Sequence, residues 1–217
     1  MSIALYLPNA VSTASSALPV IAAAGVRRRL NLELRVIAGL LALYLCSDLA
    51  GMVMALQRIR NLWLANAVSW LDFPVLVWVF GRWERVESRR RALFYLIPAG
   101  LVLMAVTQGL VGSFQRYNFT GRSLQSVVVS GLAIYSLHQL AIYGEEELWR
   151  DPRFWVSLAV LVEFGGSVFA YSFGFLMETR HMLAIWPLHL LSNTLANFLF
   201  AGGFLCLRRP MVTGGSP

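Results

Sequence analysis

Three carboxylates, Asp48, Asp72 and Glu163, lie in stretches that are otherwise almost wholly apolar. A carboxyl group in such surroundings can hold a proton, a metal ion or an amine, and each of these chemistries needs further donors nearby. Candidate donors recur at helical spacing. Tyr44, Asp48 and Gly51 step by four and three, Asn66, Ser69 and Asp72 by threes, and Glu163, Ser167 and Tyr171 by fours. His189, Asn193 and Asn197 are also four apart, with Ser192 beside them. Steps of three and four place residues on one face of an α-helix, so each set is a polar stripe.

The elements that must carry these stripes are membrane spans. Of 217 residues, 58% are hydrophobic and 13% charged, about half the charged fraction of an ordinary soluble domain. Apolar segments of about 20 residues, enough to cross about 30 Å of hydrocarbon, recur seven times. The predicted helices are 3–25, 36–57, 61–81, 92–112, 123–143, 154–177 and 182–207, followed by a disordered tail at 210–217. The expected class is an all-α membrane protein with a single seven-helix transmembrane domain, 1–209. The first helix is rich in serine and holds Pro8 and Pro19. A cleaved signal peptide would need a basic region before the apolar stretch; here Arg27, Arg28 and Arg29 follow it, which suits a retained helix.

All 18 basic residues are arginine. Without lysine there can be no retinal Schiff base. The net charge of +7 sits at helix ends and forms no tract interleaved with aromatics, which excludes nucleic acid as a partner. Sorted by alternate loops, thirteen arginines fall on one side: Arg27 to Arg35, Arg82 to Arg91, Arg150, Arg153, Arg208 and Arg209. Five fall on the other: Arg58, Arg60, Arg116, Arg122 and Arg180. The positive-inside rule puts the N-terminus outside and the C-terminus in the cytoplasm. Trp63 and Trp186 near one edge, and Trp83, Trp149 and Trp155 near the other, read as aromatic belts. Cys46 and Cys206 both fall inside spans, as small buried residues rather than a disulfide pair.

The two halves carry a faint repeat. Asp48-x-x-Gly51-x-Val53 in helix 2 matches Glu163-x-x-Gly166-x-Val168 in helix 6, and Trp63, Asn66, Ser69 in helix 3 match Trp186, His189, Ser192 in helix 7. This gives a 3+1+3 parallel repeat with helix 4 as the linker.

Counting about 1.5 Å per residue from each helix centre puts Asp48, Asp72, Glu163 and Asn193 within about 4 Å of the midplane. His189 comes out about 8 Å toward the outside, and His138 about 7 Å toward the cytoplasm. An ionisable group facing lipid at that depth costs at least about 2.5–3.5 kcal/mol, so the stripes should face one interior. No arginine falls inside a predicted span to balance the acids. Either some carboxylates are neutral or an external cation lies among them. The expected ligand- or proton-binding set is Asp48, Asp72, Glu163, His189, Asn193, Asn66, Tyr44 and Tyr171. Interhelical hydrogen bonding is the competing reading, and it fits Asn66, Ser69, Ser192 and Asn197 best. His138, Trp70 and Trp78 read as structural, and Glu145, Glu146 and Glu147 as a solvated face. The sequon at Asn118 would be open to glycosylation in an outer loop.

The helix 3 string NLWLANAVSWLDF and the helix 7 string WPLHLLSNTLANFLF resemble a family of uncharacterised bacterial seven-helix proteins, through Asn61 to Leu64, Asn66, Asp72, His189, Asn193 and Asn197. The resemblance covers about two helices and implies a recurring polar site. A looser similarity is to the ceramidase and adiponectin-receptor-like membrane hydrolases. It implies zinc on Asp48, Asp72 and His189, with one position open for water. That similarity departs at Asn193, where the family has a second helix 7 histidine, and at Asp48, where it has a helix 2 histidine.

The sequence therefore leads to a bacterial inner-membrane protein with a midplane acidic pocket for a small cationic or proton-coupled ligand. It would act as a transporter or a receptor-like sensor, with zinc-dependent intramembrane hydrolysis as the alternative. No cofactor is firmly implied beyond a bound cation or zinc. Besides the lipid bilayer and the small ligand, the basic inner loops offer a face to a cytoplasmic partner or a second copy.

Overall fold

The computed structural model describes residues 3–111, 114, 116, 118–144, 147–176 and 179–207, with side chains from residue 9 onward except those of 173–186. Glu145, Glu146, Arg208, Arg209 and the tail lie outside the described residues, as do the side chains of Arg180 and Trp186. Seven α-helices account for nearly all of the rest: α1 Ile3–Gly25, α2 Leu32–Leu56, α3 Leu62–Trp83, α4 Glu87–Val111, α5 Phe119–Tyr143, α6 Pro152–Leu176 and α7 Thr179–Cys206. No strand occurs among the described residues. Among the described residues, six helices, α2 to α7, are long and apolar enough to cross a membrane, the character of a multi-pass membrane protein.

Several helices begin earlier than hydropathy alone indicates, because polar residues cap them or pair within their first turns. Asn31 accepts a hydrogen bond from Leu34 N at 3.0 Å and opens α2, which takes in Glu33 and Arg35. Asn118 accepts one from Gly121 N at 2.9 Å and opens α5. Glu87 starts α4 and pairs with Arg90 and Arg91, one helical turn on. Residues assigned to loops by polarity are thus the first turns of helices.

Helix α1 packs on α2 and α7, α2 on α3, α3 on α5, α5 on α6, and α6 on α7, so six helices close a ring. Helix α4 stands outside it, against α3 and α5. The apolar core fills one half of this ring. Leu34, Ile37 and Leu41 come from the first half of α2 and Leu76, Val77 and Phe80 from the second half of α3. Val129 and Ala133 of α5, Val156 and Val160 of α6, and Phe200 and Phe204 of α7 complete it at the same end. Outward, large side chains such as Leu49, Met52, Val102, Leu110 and Ile134 form an exposed apolar mantle, as hydrocarbon surroundings require. Cys46 and Cys206 form no disulfide among the described residues, but Cys46 is exposed and Cys206 half-buried rather than buried.

Candidate functional site

The polar stripes line the other half of the ring, above the apolar plug. Asp72 lies at the middle of α3 and is 1% exposed, and its carboxylate is the centre of the site. Its Oδ2 accepts a hydrogen bond from Arg122 Nη1 at 2.9 Å, and its Oδ1 accepts one from Gln125 Nε2. The same Gln125 amide also donates to Ser69 O at 3.3 Å. The Tyr44 hydroxyl is buried and aimed at Asp72 without reaching hydrogen-bonding geometry. From α6, the Tyr171 ring lies under the Arg122 guanidinium at 5.6 Å and meets the His189 ring at 5.5 Å. His189 Nδ1 is 3.2 Å from Ser167 Oγ.

Arg122 corrects the expectation that no cation enters the interior. Hydropathy begins helix 5 at residue 123 and leaves Arg122 in a loop; the Asn118 cap begins it four residues earlier and turns Arg122 inward. The chain between α4 and α5 is also drawn down onto α3. Asn66 Nδ2 donates to Phe114 O and to Arg116 O, both at 2.9 Å, and the Phe114 ring packs at 6.3 Å from Trp70. This tether lowers the start of α5 until a long guanidinium reaches the middle of α3. Asn118 is 3% exposed and donates to Thr107 Oγ1 at 3.0 Å, so the sequon is a helix cap and not an open acceptor.

Glu163, on α6, is within charge-interaction range of Asp72, Arg122 and Asp48. It makes no hydrogen bond or ion pair among the described residues, and it remains only half-buried. Gly166, one turn on, brings α6 against α7: a methyl group there would overlap Ser192 Oγ.

Two of the expected stripes divide. Ser16 Oγ donates to Asp48 Oδ2 at 3.0 Å, which ties α2 to α1. On α7, Asn193 Nδ2 donates to Ser12 Oγ at 3.2 Å and Asn197 Nδ2 to Ser15 Oγ at 2.9 Å, so these amides join α7 to α1. Asn66 likewise holds a loop. Asp72, Glu163, His189, Tyr44 and Tyr171 therefore gather as one polar cluster, with Asp48 at its edge, while Asn66 and Asn193 serve as interhelical ties.

Zinc on Asp48, Asp72 and His189 is not the arrangement found. These side chains turn to Ser16, Arg122 and Ser167 respectively, and no three His, Cys, Asp or Glu residues gather as a ligand set among the described residues. His138 is exposed and takes no part. Glu147 pairs with Arg150 at the surface, in keeping with a solvated face.

Sequence reasoning missed Arg122, Gln125 and the serines of α1. The signal for the first two was present, since Arg122, Gln125, Ser126 and Val129 step by three, one and three along one helical face. No protein-family model, curated protein or solved structure matches this chain.

Proposed function

We propose that the chain is a seven-span protein of a bacterial inner membrane, N-terminus outside, whose polar cluster forms a chamber that binds a small cation or a proton-coupled ligand, as a transporter or receptor-like sensor. The observation that carries the reading is Glu163: a half-buried carboxylate on α6 beside Asp72 and Arg122, without a hydrogen-bonding partner among the described residues. The fixed Arg122–Asp72 pair forms the opposite wall and leaves Glu163 as the group free to take a proton or a cation. The apolar plug lies at the arginine-rich end, so in the proposed orientation the chamber faces outward.

The neighbour order supports a 3+1+3 plan, because a two-fold relation between α1–α3 and α5–α7 would pair the α3·α5 contact with α7·α1. It would also set Asp48 opposite Glu163, and the two interact across the ring. The resemblance to bacterial seven-helix proteins rests on Asp72 and His189 of the chamber and on Asn66, Asn193 and Asn197 of its ties. Nothing in the donor geometry favours the zinc-hydrolase alternative.

The test is infrared titration of the carboxyl bands of the full chain in detergent, with tetramethylammonium as cation probe, together with proton flux into dye-loaded liposomes. Glu163→Gln should remove a cation-sensitive carboxyl band and any proton flux. A response unchanged by Glu163→Gln refutes the reading; a band without flux selects sensing over transport.

A further inference from the structure

At the plugged end of the bundle, where α3 and α5 end and α4 begins, a small concavity of about 40 Å³ opens to solvent. Phe80, Leu132 and Leu140 form an apolar wall, and the polar groups at its mouth are unevenly satisfied. Its acceptors are taken. Glu84 Oε2 accepts from Tyr135 Oη at 2.6 Å and Oε1 from Val86 N at 2.8 Å, while Tyr135 Oη accepts in turn from Arg89 Nη1 at 3.1 Å. Ser136 Oγ accepts from Ser157 Oγ at 2.9 Å.

Several donors are not answered. Arg85 has no ion-pair partner among the described residues, the Gln139 carboxamide has no hydrogen bond there, and the Trp83 indole N–H is buried in the wall without an acceptor. Arg153 also lines the cleft, held by Asp151 at 2.6 Å. Arg85, Arg89 and Arg153 together outweigh Glu84 and Asp151. Unanswered N–H donors, a surplus of positive charge and an apolar wall at a helix-end level describe a receptor for an anion that carries hydrocarbon.

We propose that this cleft binds an acidic phospholipid, with its phosphate at Arg85, Gln139 and the Trp83 N–H and its acyl chain along Phe80, Leu132 and Leu140. Tyr135 and Arg89 are positioning residues, which keep the Glu84 carboxylate turned away from the phosphate. The site is separate from the chamber and does not depend on what the chamber binds.

Native mass spectrometry of the full chain in detergent, doped with dioleoylphosphatidylglycerol, dioleoylphosphatidylcholine or inorganic phosphate, tests the assignment. The phosphatidylglycerol should be retained as a single bound lipid and the phosphatidylcholine lost. Arg85→Ala should lower retention about fivefold, the worth of one arginine–headgroup contact. Gln139→Leu should lower it as well, and Arg60→Ala, at the opposite end, should not. Arg85 is exposed, so its replacement does not threaten folding. Equal retention of both lipids, unchanged retention in Arg85→Ala, or displacement of the lipid by inorganic phosphate alone each overturns the proposal.

Discussion

Arg122 Nη1 lies 2.9 Å from Asp72 Oδ2 and joins α5 to α3, with the two side chains 16% and 1% exposed. Removing one partner of such a buried pair strands the other, at a cost of about 3–5 kcal/mol, whereas replacing both by apolar groups is often neutral. Arg122→Ala should therefore lower the unfolding free energy by about that amount, and Arg122→Met with Asp72→Leu should recover most of it. Chemical unfolding in detergent measures both. An Arg122→Ala protein as stable as wild type would show that the pair does not hold the helices.

Glu163 is expected to behave in the opposite way. It has no hydrogen bond to lose among the described residues, so Glu163→Gln should change stability by less than about 1 kcal/mol while removing the cation response. Thermal melts run beside the infrared titration separate the two effects. A large loss of stability would mean that the carboxylate is structural.

At the α1·α7 contact, Asn197 donates to Ser15 Oγ at 2.9 Å. Interhelical hydrogen bonds inside membranes average about 0.6 kcal/mol and reach about 1.7. Asn197→Leu should fall in that range, and Ser15→Ala should add little to it. A loss above about 3 kcal/mol would exceed what such a bond can supply.

Close approach of α6 and α7 rests on Gly166. Gly166→Ala should cost about 1–3 kcal/mol through overpacking against Ser192, and Ser192→Gly should restore much of it in the double variant. Additive single effects would mean that the two residues do not meet.

Glu84, just past the end of α3, supplies a pH signature. Burial works to raise its pKa, but the hydrogen bonds from Tyr135 and Val86 N and the nearby Arg89 prevail and hold it below its ordinary value of 4.5. A lowered folded-state value contributes stability that is present above pH 4.5 and lost as the pH falls through the folded value. Tyr135→Phe should flatten this acid limb of the stability curve, as read by melts across pH 3 to 6, a range of about one to two units on either side of the unperturbed carboxyl pKa. An unaltered limb would assign the acid sensitivity to other carboxylates.

Hydropathy was enough to locate the seven α-helices among the described residues, six of which are long and apolar enough to cross a membrane. It misjudged where α2, α4 and α5 begin, since Asn31, Glu87 and Asn118 are polar and look like loop until the caps made by Asn31 and Asn118 and the ion pairs made by Glu87 are seen. The acids of the chamber were legible for the same reason: Asp72 and Glu163 have no business in an apolar run unless they face protein. Their counter-ion was hidden, because a guanidinium reaches far beyond its own backbone and the Asn66 tether that lowers it is a long-range contact. Helical spacing could say that Asn193 and Asn197 share a face with His189. It could not say that the face turns partly toward the serines of α1, as that depends on the order of helices in the ring.

The contact between α1 and α7 is made through neutral hydroxyl and amide groups, Ser12 with Asn193 and Ser15 with Asn197. Dissolved ions find nothing there to screen, so ionic strength should leave this contact as it is from dilute buffer to brine. Any sensitivity of the molecule to its medium has to enter through the walls on which the charges stand.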